Sequence, residues 1–199
     1  MSSLTAPRNA PFAAAFRDLS YVPRWGILRS IRKQNVAEHS YYVALYADQL
    51  AALIQWEGDT AALLQYALLH DIDETITGDI PGPVKRAAFD KTKMWNKIRD
   101  TMARRFGTIN VFRLNNPLPE IKAIVAVADS IDEISYLIEE TVLGNKWVKV
   151  VLVEAIRRFE ARWEMLPIND EEDSKSLKAV VMEILTTHRQ DPILLKDVL

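Results

Sequence analysis

With 199 residues, 49% apolar and 26% charged, the chain can bury one good core, and positions 1–199 read as a single domain of ordinary length. A formal net charge of −2, without a dense Lys/Arg cluster, excludes the electrostatic footprint of a nucleic-acid polymer as partner but leaves room for a small charged ligand. Cysteine is absent, which excludes disulfides, thiolate metal sites and cysteine nucleophiles; no leader pattern and no apolar run of roughly 18 residues is seen, so a cytoplasmic protein without a membrane partner is expected.

The periodicity is helical almost throughout. From Val36 to Trp56 the apolar residues Val43, Ala44, Ala47, Leu50, Ala51 and Ile54 recur at three and four, with Asn35 as N-cap and Glu38 in the capping-box position. Asp59 or Thr60 starts a second helix ending near His70. The breaker-rich turn Gly78-Asp79-Ile80-Pro81-Gly82-Pro83 separates this from a charged helix around Asp90 to Phe106, stopped by Gly107. Pro119 or Glu120 opens a long helix to Leu143, closed by Gly144, and two more run from Lys146 to Met165 and from Glu171 to His188. No alternating strand pattern and no repeat is visible. The expected architecture is an all-α bundle with irregular connections, whose C-terminal helices and apolar tail would take part in an interface between copies of the chain.

The chain has only three histidines, and two of them carry a signal. His70 and Asp71 stand side by side at the end of the apolar run Ala61–Leu69, and His39 lies in the amphipathic stretch Asn35-Val36-Ala37-Glu38-His39-Ser40. Imidazole and carboxylate together suit first-row divalent ions better than Mg²⁺ or Ca²⁺, which favour all-oxygen shells. In the long helix Asp129 interrupts the nearly unbroken apolar run Ile121–Ala128, where a carboxylate is costly unless paired or metal-bound. Asp132 and Glu133 follow one turn on. Spacing alone does not decide which acid turns inward, but the surroundings favour Asp129 and leave the other two free to face solvent. His188 ends a helix, where a cation offsets the helix dipole, and is read as structural.

Four segments in this order, Arg24-Trp25-Gly26-Ile27, Asn35–Ser40, His70–Pro81 and Ala128-Asp129, resemble the HD-domain metal-dependent phosphohydrolases over about residues 20 to 145. The closer similarity is to the bacterial 5′-deoxynucleotidase (YfbR-like) branch and its phage dNTP and dATP phosphohydrolase relatives. The resemblance implies His39, His70, Asp71 and Asp129 as ligands of one divalent transition metal (Co²⁺, Mn²⁺, Zn²⁺ or Ni²⁺), with additional Mg²⁺ accompanying substrate phosphates as an option. It also implies Glu74 and Asp79 for proton chemistry, and Arg24 and Trp25 for the nucleotide. Ile27, two residues after Trp25, follows the phage pattern. Relatives form dimers, and a homo-oligomer is expected.

The chemistry agrees with these residue types. Phosphate ester hydrolysis needs a nucleophile at neutral pH and compensation of phosphoryl charge, and one divalent ion supplies both. Glu74, one helical turn beyond Asp71, can orient water or carry its proton; Asp79, in a turn, is the acid nearest a leaving oxygen. Arg24 offers a fork of donors to phosphate and Trp25 a flat face to a base or sugar, with Ile27 as a pocket wall and Lys85 as a further phosphate contact. Plainer readings stand beside these: a hydrogen-bonded core histidine, a solvated Glu74, an Asx turn at Asp79, a core Trp25, and capping or ligand-supporting roles for Asp73, Glu38 and Ser40. Three functions follow: a 5′-deoxynucleotidase releasing phosphate from deoxynucleoside monophosphates, a triphosphohydrolase of deoxynucleoside triphosphates, and a silent nucleotide-binding helical protein.

Overall fold

Two side-chain caps start the helices that carry the site. Asn35, in extended backbone, accepts the Glu38 N–H at 2.9 Å and begins α1, Val36–Leu53. Asp59 accepts the Ala62 N–H at 3.0 Å and begins α2, Thr60–Leu69. The computed structural model describes residues 14–82, 84, 97 and 117–187. The expected helix from Asp90 to Phe106, its Gly107 stop, Lys85, His188 and the apolar tail lie outside the described residues.

The short α3, Glu74–Thr77, follows the His70-Asp71 corner, and α4, Pro119–Val142, is the long helix. Pro119 at its first turn gives up no needed N–H. At its other end Gly144 takes φ +90°, the left-handed region that glycine enters without a Cβ clash. Asn145 then accepts the Trp147 N–H at 3.1 Å and winds a 3-10 turn, Lys146–Val148, before α5, Lys149–Trp163. The expected helix from Lys146 to Met165 is therefore split at its start, because the asparagine side chain competes with the helical backbone ladder. The last described helix is α6, Glu171–Thr187. Helix α1 ends at Leu53 rather than Trp56: Gln55 has φ +53° and the Trp56 N–H returns to the Ala51 carbonyl at 2.9 Å. Among the described residues the extended pairing is limited to one antiparallel bridge, Pro23 with Asn35. An all-α fold is observed, as the periodicity predicts.

Helix α4 is the centre of the bundle, packed between α1 and α5 with α2 alongside. Its Ile124, Val127, Ala128, Ile131, Ile134 and Leu137 meet Val43, Ala44, Ala47 and Leu50 of α1 and Phe159 and Trp163 of α5 in one continuous core. Each fully buried side chain of this size contributes about 1.5–3 kcal/mol relative to exposure, so the core holds α1 against α4 independently of any polar group between them. A second, smaller cluster of Leu19, Val36 and Ile72, backed by Phe16, Val22 and Leu69, docks the N-terminal 3-10 helix, Ala14–Tyr21, against the start of α1 and the corner after α2. Through Ile72, the residue after Asp71, this cluster fixes where the His-Asp pair points. Among the described residues no helix is long and apolar enough to cross a membrane.

Candidate metal centre

Three elements converge on one polar spot in the apolar interior: His39 from the second turn of α1, His70 and Asp71 from the end of α2, and Asp129 from the middle of α4. One ligand atom from each of His39, His70 and Asp71 lies within 4.8 Å of the others. His39 Nε2 is 3.3 Å from Asp129 Oδ1 and 3.6 Å from Asp71 Oδ2, and His70 Nε2 is 3.4 Å from that same Asp71 oxygen. Ligands about 2.1 Å from a shared ion lie roughly 3.0–3.4 Å from each other in octahedral or tetrahedral arrangements, close to these separations.

The protonation of both imidazoles follows from their other nitrogens. His70 Nδ1 is 2.7 Å from the Ala67 carbonyl, to which it can only donate, and His39 Nδ1 is 2.6 Å from the Asp132 carboxylate. Each Nε2 then carries a lone pair. Both Nε2 atoms are buried without a hydrogen-bond partner. Such orphaned polar atoms are costly in a native core, and a divalent cation between two lone pairs and two carboxylates satisfies all of them. The donor set of two neutral imidazoles and two carboxylates fits a first-row divalent ion.

Electrostatics at the spot favour a cation. Burial pulls the Asp129 carboxyl upward, but the His39 hydrogen bond and charge, then Arg162 and His70, hold it well below the usual carboxylate range. Burial and the Arg24 charge push His39 down, and hydrogen bonds to Asp129 and Asp132 outweigh them, so the imidazole's pKa is raised. Arg24 shows the same pattern: burial lowers it, and Asp129, Asp71, Asp132 and Asp79 together raise it. Its Nη1 is buried without a hydrogen-bond partner.

A cavity of about 470 Å³ opens over the centre, in the range of roughly 300–1,000 Å³ typical of small-molecule sites. Arg24, Trp25 and Ile27 line it from one side, Asp71, Glu74, Asp79 and Asp129 from below, and Arg158 and Arg162 of α5 from the other. Glu74 is 2% exposed, and Ile27 stands at the rim, 75% exposed. Trp25 adopts φ +65°, strained for a residue with a Cβ. It is held there by its N–H on Asp79 Oδ2 at 3.0 Å, by a parallel stack on Tyr136 with centroids 5.1 Å apart, and by its indole N–H on Gln34 at 3.0 Å.

Of the residues singled out in the sequence, His39, His70, Asp71, Asp129, Glu74, Asp79, Arg24, Trp25 and Ile27 are brought together at this centre or its cavity, and Lys85 lies outside the described residues. Two acids depart from expectation. Asp132 does not face solvent: it is 4% exposed and bonded to His39. Glu133 lines the cavity and pairs with Arg158 at 2.6 Å; burial and the nearby Asp129 charge raise its pKa, with Arg158 opposing. The reason is that α4 is covered on both flanks, so neither acid has a solvent side. Glu38 pairs with Arg32, while Ser40 is buried with Oγ unpartnered. Sequence reading missed Arg162, which joins Asp129 Oδ2 at 2.8 Å and also bonds Ser130 and the Ala126 carbonyl, and it missed Arg158 and Gln34. The one available signal was the four-residue spacing of Arg158 and Arg162, which puts both on one face of α5.

Residues 11–166 match the family model described as 5′-deoxynucleotidase YfbR-like. A 5′-deoxynucleotidase of Vibrio cholerae serotype O1 is 32% identical over 152 residues, covering 69% of this chain and 78% of that protein. The 5′-deoxynucleotidase YfbR of Salmonella typhi is 28% identical over 171 residues, covering 78% and 85%. Among solved structures, an HD-domain phosphohydrolase of Listeria innocua superposes with a TM-score of 0.68 at 25% identity, covering 92% of this chain and 90% of that one. The cyanophage S-2L HD phosphohydrolase DatZ, solved with dA and one catalytic Zn²⁺, superposes with a TM-score of 0.64 at 21% identity, covering 86% and 95%, and shares the fold.

Proposed function

The chain belongs to the 5′-deoxynucleotidase YfbR-like family of HD-domain phosphohydrolases, and from that premise we propose that it releases inorganic phosphate from deoxynucleoside 5′-monophosphates at one divalent metal ion held by His39, His70, Asp71 and Asp129. The observation that carries this reading is the pair of buried, unpartnered Nε2 atoms facing two carboxylates beneath a cavity of nucleotide size. When bound, the ion would supply Lewis acidity toward a phosphate oxygen and acidify water.

The chain's own residues do the rest. Arg24 presents a buried guanidinium N–H without a partner, which an anionic phosphate oxygen would satisfy, and its charge survives burial because four carboxylates surround it. Glu74, buried in the cavity wall one turn beyond Asp71, takes the proton from the attacking water. Asp79 faces the cavity as the candidate acid for the leaving ribose oxygen, and by holding the Trp25 N–H it also fixes the strap that covers the substrate. Trp25, backed by Tyr136, offers an aromatic surface to the deoxynucleoside, and Ile27 narrows the rim. Arg162 orients Asp129 from behind.

A transition metal, as Zn²⁺ is in DatZ, matches the nitrogen-containing donor set. Exposed Val142, Leu143, Trp147 and Val150 support the expected homo-oligomer, which light scattering checks. The decisive experiment incubates purified protein with each dNMP and each dNTP plus Mn²⁺, Co²⁺ or Mg²⁺ and resolves the products by chromatography. Phosphate from dNMPs is expected; triphosphate from dNTPs would instead establish a triphosphohydrolase, and no turnover of either would leave a binding protein.

A further inference from the structure

A chain of three hydrogen bonds runs from the mouth of the cavity to the back of His39, and every bond in it has one permitted direction. It begins at Trp25, whose indole Nε1 is a donor only, so the Gln34 atom at 3.0 Å is the amide oxygen and the orientation of that amide is settled. Gln34 Nε2 therefore points the other way and donates to Asp132 Oδ2 at 3.1 Å. A carboxylate oxygen only accepts, so His39 Nδ1, 2.6 Å from the same oxygen, must carry a proton and donate it. The consequence at the far end is that His39 Nε2 is left with its lone pair toward Asp71 and Asp129.

Gln34 and Asp132 are each 4% exposed and His39 is fully buried, so water does not compete for these bonds. The chain joins residues 98 and 93 positions apart in sequence and uses two groups that the mechanism above leaves idle. At its outer end Trp25 is a strained residue, locked by Asp79 through its backbone and by Tyr136 through its ring. Its indole nitrogen cannot shift without breaking the bond to Gln34.

We propose that Gln34 is a positioning residue that couples the Trp25 strap at the substrate mouth to the tautomer and orientation of His39. Anything that fixes the indole thereby tightens the metal centre, and by reciprocity the metal favours the closed strap. The proposal rests on the reading of His39 as a metal ligand.

The test measures Co²⁺ affinity by competition with a chelator, without nucleotide, for the wild-type protein, Trp25→Phe, Gln34→Met and the double variant. Trp25→Phe keeps a ring to stack on Tyr136 and lacks only the N–H donor. Gln34→Met is expected to weaken Co²⁺ binding about tenfold, the low end for loss of a ligand's supporting partners. Trp25→Phe, whose lost bond lies two steps from the ligand, should weaken it about threefold. In the double variant the Trp25 change should add nothing, since the path is already cut. Unchanged affinity in Trp25→Phe, or effects that multiply in the double variant, would overturn the coupling. In parallel, the His39 Nδ1–H resonance of histidine-labelled, metal-free protein is expected downfield in the wild type and displaced in folded Trp25→Phe; an undisplaced resonance would also overturn it. Failure of the wild-type protein to bind Co²⁺ would refute the metal reading, and the resonance would then still decide the coupling.

Discussion

His39 is gripped from both sides by α4: Asp132 takes the proton of Nδ1 and Asp129 stands before the lone pair of Nε2. Three residues apart on a helix, these two acids share a face, and a ring placed between them meets both. The apolar run ending at Ala128 identified Asp129 from sequence alone, because an acid interrupting such a run needs a partner. Asp132 was not legible in the same way, since Glu133 beside it and the polar turn after it look like an exposed helix flank. Glu74 is the residue on which chemistry and metal binding separate. It is buried in the cavity wall and is not among the four proposed ligands. Glu74→Gln keeps the size and removes the base, so metal content measured by elemental analysis should match the wild type while turnover of the best dNMP falls by about 10²- to 10⁴-fold. A parallel loss of metal would make Glu74 part of the metal shell instead.

At the scale of elements, the strap from Arg24 to Asn35 is shaped by the far end of α4. Glu140, fully buried, accepts the Ile31 N–H at 2.7 Å, the Arg32 N–H at 2.6 Å and an Asn145 amide N–H at 2.6 Å. Tyr136 donates to the Arg32 carbonyl and Asn145 to the Arg29 carbonyl, both at 2.7 Å. Helix starts at Asn35, Asp59 and Pro119 and the stop at Gly144 were readable because capping is local; these anchors, 104 to 116 residues apart, leave no periodic trace. Burial raises the Glu140 carboxyl, and Asn145 with the Ile31 and Arg32 amides outweighs it, so its pKa lies below the ordinary value. A depressed carboxylate contributes stability at pH above its unfolded value, and that contribution is lost as pH falls through the folded value. In Glu140→Gln one N–H donor meets an amide N–H in place of an oxygen, a mismatch of about 1–3 kcal/mol. Urea unfolding of both proteins should show that gap near pH 7 and see it narrow as the pH drops below about 4.5, where the wild-type carboxylate begins to take up a proton. A gap constant with pH would mean that the charge on Glu140 does not hold the strap.

Across the whole molecule, the proposed ligands tie α1, the end of α2 and α4 together at one point, while the apolar core beneath packs the same helices without them. The all-α class was legible from the period of that core; the convergence of three elements on one spot was legible only as far as a histidine and a tandem His-Asp on separate helices suggest it. This division predicts what metal removal does. The fold should survive, because Val43, Ala47, Leu50, Ile124, Val127 and Ile131 remain packed, so the far-ultraviolet circular dichroism at room temperature should be the same with Co²⁺ and with excess chelator. The stability should not. An ion that binds the native state alone, at a free concentration 100 times its dissociation constant, adds about 2.7 kcal/mol, which for a chain of this length corresponds to a rise in Tm of about 5–10 °C. Asp71→Ala should melt at the same temperature with and without Co²⁺, because removing a ligand abolishes the linkage while leaving the core intact. Equal Tm values for the wild type in metal and in chelator would show that His39, His70, Asp71 and Asp129 form an ion-pair cluster of the bundle and not a metal centre.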